Sequence, residues 1–167
     1  MKPFFCKSIG QPLVNLNLKP QHLQTIYSQA ETTYPEECCG LLLGSRTDKN
    51  KTVLEVIPTE NAWSETSDPF GDSTATKQRR YTIAPQVMLQ VQKDARDRNL
   101  NIIGIYHSHI NNPAHPSEFD RQLAWQEYSY VIVSVINGKA VDIKSWILDD
   151  NHQFQPEAME TGSPKEE

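Results

Sequence analysis

The spacing of apolar residues along the chain predicts a mixture of helices and strands. Recurrence every three or four positions indicates amphipathic helices, whereas short apolar runs bounded by polar loops indicate buried strands. The predicted helices are 20–33, 85–98 and 117–127, and the predicted strands are 38–44, 52–57, 79–83, 101–106, 128–135 and 140–148. Because strands outnumber helices and mostly follow one another, the pattern predicts an α+β (α/β/α-like) domain with a mixed, partly curled sheet flanked by helices.

Three segments stand apart from this pattern. Residues 1–19 form a poorly patterned lead-in, and residues 20–150 carry the predicted domain. Residues 151–167 are rich in proline, glutamate, serine and glycine, which predicts a flexible polar tail. Residues 58–76 are the longest irregular stretch, and a loop of this length inside a compact domain is usually functional or mobile.

Composition narrows the class of protein. The chain has 167 residues and a net charge of −5, which favours one domain and argues against a nucleic-acid binder. No apolar stretch approaches the roughly 20 residues of a membrane span, and no signal-peptide core follows the first methionine. Three cysteines do not make a disulfide framework. We therefore expect a cytoplasmic protein that binds neither nucleic acid nor membrane; its oligomeric state is left open.

One predicted strand runs into a pair of histidines that have the spacing of metal ligands. His107 and His109 are two residues apart, so an extended strand projects both imidazoles to the same side. Asp120 follows three residues after Ser117, the expected N-cap of the next helix, where its carboxylate can approach the same point. Two histidines and one carboxylate are the ligands of an open catalytic zinc site, although iron and manganese also suit these donors.

A hydrolytic metal site also needs a base that is not a ligand and a donor for the developing oxyanion. Ser117 is suited to the second role, because it stands at the start of the helix beside the candidate metal. Spacing alone does not choose the base among the candidate carboxylates, which are Glu36, Glu37, Glu55 and Glu118.

The order of these residues resembles the motif of the JAMM (MPN-plus, JAB domain) zinc metallopeptidases. The motif reads Glu…His-x-His-x(7)-Ser-x(2)-Asp, and here residues 107–120 supply the His-x-His, serine and aspartate positions. Upstream, residues 34–44 (YPEECCGLLLG) resemble the family's first helix-to-strand junction, in which the second acidic residue after the proline is catalytic. That residue is Glu37. The chain departs from many members at Ile110, where they have a proline.

The resemblance implies a JAMM/MPN (cytidine-deaminase-like) fold over residues 20–148. It implies Zn²⁺ bound by His107, His109 and Asp120, with Glu37 as general base and then acid, and with Ser117 stabilising the oxyanion. These five residues are the candidate site, and all five are read from the sequence.

The resemblance also implies a substrate. Family members cleave the amide or isopeptide bond after the C-terminal Gly-Gly of a ubiquitin-like protein, and compact prokaryotic members release cysteine from a sulfur-carrier adduct. We therefore expect a ubiquitin-like or sulfur-carrier protein as partner, with the carrier–cysteine adduct as the favoured substrate. A deconjugase of a ubiquitin-like modifier and a non-catalytic MPN-type interaction scaffold are the alternatives.

Overall fold

The computed structural model describes residues 15–162, which form seven strands, three α-helices and one short 3₁₀ turn. The helices are α1 (Pro20–Thr33), α2 (Pro85–Asp97) and α3 (Glu118–Leu123). The strands are β1 (Asn15–Asn17), β2 (Cys39–Arg46), β3 (Asn50–Thr59), β4 (Asn101–Ile110), β5 (Ser129–Ile136), β6 (Lys139–Leu148) and β7 (Phe154–Glu160). Within residues 15–162, no helix is long and apolar enough to cross a membrane.

The strands join in the order β1-β3-β2-β4-β5-β6-β7 and close into a barrel. Strand β1 closes it by pairing in parallel with both β3 and β7. Strands β4 and β5 are also parallel, whereas the remaining neighbours are antiparallel. The predicted mixed and curled sheet is confirmed, and the curl continues to full closure.

Strand β2 is apolar without a break because both of its faces are covered. Leu42 belongs to the buried cluster that includes α1. Leu41 and Leu43 point the other way, since side chains alternate along a strand, and belong to the cluster that includes α2. The two helices therefore fix β2 from opposite sides, and β2 in turn lies beside β4, which carries the two histidines.

A close contact ties α1 to the start of β2. A Cβ on Gly40 would lie 2.3 Å from the ring of Tyr106, its partner on β4, so only glycine leaves room for that ring. The Tyr106 hydroxyl donates a hydrogen bond to Oε1 of Gln29 in α1 at 2.5 Å, and Nε2 of Gln29 donates to the carbonyl of Cys39 at 3.0 Å. These contacts set where the chain enters β2, just after Glu37.

The predicted strand over 79–83 is wrong. Arg79 closes a turn, and residues 80–83 belong to no helix or strand. Its neighbour is the side chain of Asn61, whose Oδ1 accepts from the Thr82 amide at 3.2 Å and whose Nδ2 donates to the Arg80 carbonyl at 2.9 Å. An amide side chain thus supplies part of the pairing that a strand would supply.

Both predicted ends of the domain need correction. The expected flexible tail is wrong over Phe154–Glu160, which form β7, and Asn15–Asn17 of the expected lead-in form β1. These polar segments gain their pairing from each other and from β3 and β6, and such long-range pairing leaves little trace in local composition. Residues 1–14 and 163–167 lie outside the described residues.

Candidate metal centre and cleft

Two imidazoles meet at the end of β4. His107 and His109 project from the same face of the strand, as their spacing predicts, and both are buried. Their Nε2 atoms are 3.1 Å apart, and their rings lie edge to face with centres 4.9 Å apart. Strand geometry alone therefore brings one nitrogen atom of each histidine close enough to bind the same ion.

Asp120 completes the group from the first turn of α3. Its Oδ1 lies 3.2 Å from Nε2 of His107, and its Oδ2 lies 3.2 Å from Nε2 of His109. The helix cap positions this carboxylate, because the Ser117 amide donates to Oδ2 of Asp120 at 2.8 Å and Oγ of Ser117 accepts from the Asp120 amide at 3.0 Å. The ligand atoms of the three residues all lie within 4.8 Å of one another.

These distances fit a zinc ion. Tetrahedral Zn²⁺ binds nitrogen and oxygen at about 2.0–2.1 Å, which places its ligand atoms about 3.3 Å apart. The separation of 3.1 Å between the Nε2 atoms of His107 and His109 is close to that value, and each carboxylate oxygen of Asp120 lies 3.2 Å from one of the two Nε2 atoms. Two imidazoles and one carboxylate are also the donors of open zinc sites, so the residues present fit the metal that the motif implies.

Contacts behind the ligands fix the imidazole rings. Nδ1 of His109 lies 2.9 Å from the carbonyl of Pro113, so the proton on Nδ1 donates there and Nε2 keeps its lone pair. The ring of Tyr81 stacks on His107 with centres 4.4 Å apart. Within residues 15–162, Nδ1 of His107 has no hydrogen-bond partner. Sequence reasoning missed Tyr81, because an aromatic residue in a β-rich run gives no signal of contact with a distant strand.

The pKa shifts show how the three side chains act on one another. Burial opposes the ionised form of Asp120, but the charge and hydrogen bonds of His107 and His109 hold its pKa well below its usual range. Burial lowers the pKa of His107 and outweighs the attraction of Asp120. For His109, burial is outweighed by Asp120, which raises the pKa. The shifts of Asp120 and His107 favour the forms that bind a metal, whereas a metal would have to displace the proton that the raised pKa of His109 favours.

Glu37 lies at the junction of α1 and β2 and lines the same cleft as His109, Ser117 and Asp120. Its side chain is buried, and burial followed by the negative charge of Asp120 raises its pKa well above the usual range, against a smaller opposite effect from Arg80. A carboxyl group with a raised pKa beside a candidate metal centre is suited to exchanging protons near neutral pH.

The structure separates Glu37 from the other candidate bases. Glu36 is exposed. Oε2 of Glu55 accepts a hydrogen bond from Arg98 at 2.6 Å, and Glu118 pairs with Arg121, so both are engaged in surface ion pairs. The choice that the sequence left open is thus decided by position: of the four carboxylates, Glu37 alone lines the cleft that contains His109 and Asp120.

Ser108 joins the histidine strand to the residue after Glu37. Its Oγ accepts from the Cys38 amide at 2.8 Å, and its own amide donates to the Cys38 carbonyl at 3.1 Å. Since Ser108 stands between His107 and His109, these two bonds fix the backbone next to Glu37 relative to both imidazoles. The hydroxyl oxygen and the amide of Ser108 thus both bond to Cys38, although the motif leaves position 108 unspecified.

Asn61 fixes Glu37 from the other side. Its Nδ2 donates to the Glu37 carbonyl at 3.1 Å and to the Arg80 carbonyl at 2.9 Å, and its Oδ1 accepts from the amides of Trp63 and Thr82 at 3.1 and 3.2 Å. The side-chain amide is buried, with all its donors and acceptors engaged. Asn61 was not identified from the sequence, since an asparagine in an irregular stretch usually indicates only a turn.

The segment 60–84, here called the strap, forms one wall of the cleft. The Glu37 amide donates to the carbonyl of Lys77 in the strap at 2.8 Å. The ring of Phe70 packs edge to face on Phe119 of α3, with centres 5.4 Å apart. The cleft between the strap and the candidate metal centre has a volume of about 290 Å³. The irregular stretch noted in the sequence therefore lies against the candidate site, as its length suggested.

Comparison with known proteins identifies the family. The family model of prokaryotic homologs of the JAB domain matches residues 19–149. The chain belongs to this family. The match confirms the family expected from the motif, and its boundaries include all five candidate site residues.

Named relatives of this JAB-domain chain are peptidases. It is 28% identical to the desampylase of Pyrococcus furiosus, over 81% of this chain and 83% of the relative. It is 26% identical to the CysO-cysteine peptidase of Mycobacterium bovis, over 81% of this chain and 84% of the relative. Among solved structures, a protein from Desulfitobacterium hafniense matches with a TM-score of 0.70 and 26% identity, covering 89% of this chain and 92% of the other.

Proposed function

We propose that the protein is a cytoplasmic zinc metallopeptidase that hydrolyses the bond after the C-terminal Gly-Gly of a ubiquitin-like or sulfur-carrier protein. The observation that carries the proposal is the convergence of His107, His109 and Asp120 within 4.8 Å, next to the buried carboxyl of Glu37. Family membership and relatives named desampylase and CysO-cysteine peptidase support the reaction class.

His107, His109 and Asp120 would hold the zinc ion. Bound Zn²⁺ supplies a Lewis acid that polarises a carbonyl and lowers the pKa of a water molecule to about 7. The protein holds its three ligands ready for this role through the Pro113 carbonyl behind His109 and the Ser117 cap behind Asp120.

Glu37 moves the proton. In hydrolysis the water oxygen bonds to the carbonyl carbon of the terminal glycine, and the carbon–nitrogen bond then breaks. Glu37 accepts the proton that the water loses and delivers it to the leaving nitrogen, so that one carboxyl group serves as base and then as acid. Its raised pKa suits both steps, because a carboxylate with a low pKa would be too weak a base to accept the proton from water.

Ser117 stabilises the oxygen on which negative charge develops. Its Oγ accepts a hydrogen bond from the Asp120 amide, which leaves the hydroxyl hydrogen free to donate into the cleft. The side chain is exposed and lines the same cleft as Glu37. A donor fixed by a helix cap needs little reorganisation when charge develops, which is what transition-state stabilisation requires.

The strap offers an edge on which an extended Gly-Gly tail can lie. The amide and carbonyl of Thr82 bond to Asn61 and Ala62. Among the described residues, the backbone groups of Tyr81 and Ile83 on either side of Thr82 make no hydrogen bond. Because Tyr81 stacks on His107, an added strand here would run past the candidate metal centre.

A metal and activity measurement on His109→Ala tests the proposal. We expect about one zinc per chain in the wild type by elemental analysis and loss of the metal in the variant, because two ligands bind zinc far more weakly than three. The probe is a small ubiquitin-like carrier ending in Gly-Gly and extended by one cysteine through a peptide bond. Wild-type enzyme should release free cysteine, and His109→Ala should not.

The same assay separates the alternatives. A deconjugase should instead cleave a carrier joined to a lysine side chain in preference to the cysteine adduct. Zinc in the wild type without cleavage of either probe would favour a non-catalytic scaffold that holds metal structurally. Absence of zinc from both proteins would overturn the metallopeptidase proposal altogether.

A further inference from the structure

The cleft contains a guanidinium that the reaction steps above do not use. Arg80 belongs to the strap and lines the cleft together with Glu37, Ser117 and Asp120. Its side chain is only 17% exposed, and its Cζ lies 4.1 Å from the centre of the Phe119 ring. A cation stacked on an aromatic ring is held in place and partly removed from water, which strengthens its interaction with an anion.

The hydrogen-bonding capacity of Arg80 is largely unused. Nη1 donates to the Arg79 carbonyl at 3.0 Å, and Nη2 reaches Oδ2 of Asp72 at the long distance of 3.4 Å. Within residues 15–162, its buried Nε has no partner. Asp72 is a third exposed, so this ion pair contributes little and leaves most of the positive charge uncompensated. A guanidinium has five N–H donors, and several therefore remain for a ligand.

The cleft as a whole favours a negatively charged ligand. Of the described residues that line it, the acidic ones are Glu37 and Asp120, both already assigned to the reaction. The others are neutral or basic and include Arg79 and His115, although the whole chain has a net charge of −5. The positive charge of Arg80 also acts on Glu37, whose pKa it lowers against the effect of burial, so the two side chains lie within interaction range.

We infer that Arg80 binds the α-carboxylate of the leaving amino acid, and that the enzyme is therefore specific for one amino acid joined to the carrier through its α-amine. This rests on the proposed function. In such an adduct one carbon atom separates the scissile nitrogen from the carboxylate, so the group that protonates the nitrogen and the group that binds the carboxylate must be neighbours. Glu37 and Arg80 line the same cleft, and the charge of Arg80 acts on Glu37.

A lysine-linked substrate does not offer this contact. Its scissile nitrogen is at the end of a side chain, and the lysine α-carboxyl is bound up in a peptide bond at the far end of that chain. Arg80 would then face an uncharged segment. When the favoured adduct is hydrolysed, the carbon–nitrogen bond breaks and the nitrogen takes its proton from Glu37. The carboxylate that Arg80 binds takes no part in the reaction and departs with the free amino acid.

Two peptides that differ by one charge test the inference. Both end in Gly-Gly-Ala, one with a free carboxylate and the other with a carboxamide. Their dissociation constants are measured by calorimetry on the zinc-loaded Glu37→Gln variant, which is expected to bind without cleaving. Hydrogen bonds to a charged group predict that the acid binds about 10- to 100-fold more tightly than the amide. Adding Arg80→Gln should reduce the ratio to about one, and Arg80→Lys should restore part of it.

Arg96→Gln is the matched control, since it removes the same charge from an exposed position on α2 that does not line the cleft, and it should keep the preference. A purely structural role of Arg80 would weaken both peptides equally and leave the ratio unchanged, which would overturn the inference. Equal binding of the acid and the amide by the Glu37→Gln variant would also overturn the inference. Cleavage of both peptides by the wild-type enzyme would in that case still support the proposed function. If neither peptide is bound or cleaved, the proposed function fails and the inference fails with it.

Discussion

Among residues 15–162, two clusters of buried polar groups differ in how their side chains are paired. In one, Nζ of Lys51 donates to Oγ of Ser129 at 2.9 Å, and Oγ of Ser145 donates to Oε1 of Glu157 at 2.7 Å. In this cluster, here called the closed cluster, both of these donors meet an acceptor, while Oε2 of Glu157 has no hydrogen-bond partner within residues 15–162. Lys51 and Glu157 also attract each other, and each charge partly offsets the cost of burying the other.

The candidate metal centre has the opposite arrangement. Nε2 of His109 has its lone pair free, because Nδ1 already donates to the Pro113 carbonyl. The Nε2 atom of His107 and the carboxylate of Asp120 point at the same place. Two imidazole nitrogens and one carboxylate are held there 3.1 to 3.2 Å apart, and these are the donors of a zinc site. Buried polar groups alone therefore do not identify a functional site, whereas a converging set of metal-ligand atoms indicates one.

The largest expected effect is a loss of hydrolysis rate without a loss of metal from the candidate metal centre. Glu37→Gln should keep zinc, because Glu37 is not among the converging ligands, but should slow hydrolysis of the carrier–cysteine adduct by about 10²- to 10⁴-fold. The exposed Glu36→Gln serves as control and should keep wild-type rates. A Glu37→Gln enzyme with normal rates would show that another group moves the proton.

A substitution in the closed cluster should lower the stability of the protein and leave its zinc content unchanged. Lys51→Ala leaves Glu157 buried without its compensating cation, which should lower the free energy of unfolding by about 3 kcal/mol. Urea denaturation measures this loss, and the zinc content should be unchanged. Lys49→Ala, at an exposed position nearby, should change stability by less than about 0.5 kcal/mol. Zinc loss in folded Lys51→Ala would contradict the separation of the two clusters.

Asn61 connects the strap to the metal centre and should affect both stability and rate. Asn61→Ala leaves the Glu37 and Arg80 carbonyls without this donor, at an expected cost of about 2 kcal/mol in the free energy of unfolding. The rate should also fall, because Glu37 loses one of its backbone anchors. Thermal or urea denaturation and the hydrolysis assay measure the two effects, with the exposed Asn151→Ala as control. A stable, fully active Asn61→Ala would mean that the strap holds its position without it.

The smallest expected effect is a shift in pH dependence. Glu37 must be ionised to accept a proton, so kcat/KM should rise with pH through the Glu37 pKa. The positive charge of Arg80 lowers that pKa, and Arg80→Gln should therefore move the acid limb of the profile to higher pH. The profile is measured with the neutral carboxamide peptide, so that binding of a carboxylate does not contribute. A shift to lower pH would show that Arg80 does not act on Glu37.

The sequence by itself determined the candidate metal centre. The spacing of His107 and His109 on a strand and of Ser117 and Asp120 on a helical turn are local relations, so periodicity and capping rules were enough to predict which side chains converge. The family followed from the same residues together with the Glu37 junction. The mixed and curled sheet was also predictable, because the central strands are apolar on both faces and need cover from both sides.

Only the tertiary structure decided the rest. Glu37 was separated from Glu36, Glu55 and Glu118 by which of them faces the cleft, and that depends on contacts between segments far apart in the chain. Closure of the barrel by β1 and β7, and the use of Asn61 as a partner for the strap, have the same origin. Such pairings are stabilised by backbone groups and single side chains that any composition can supply, so they leave no periodic pattern in the sequence.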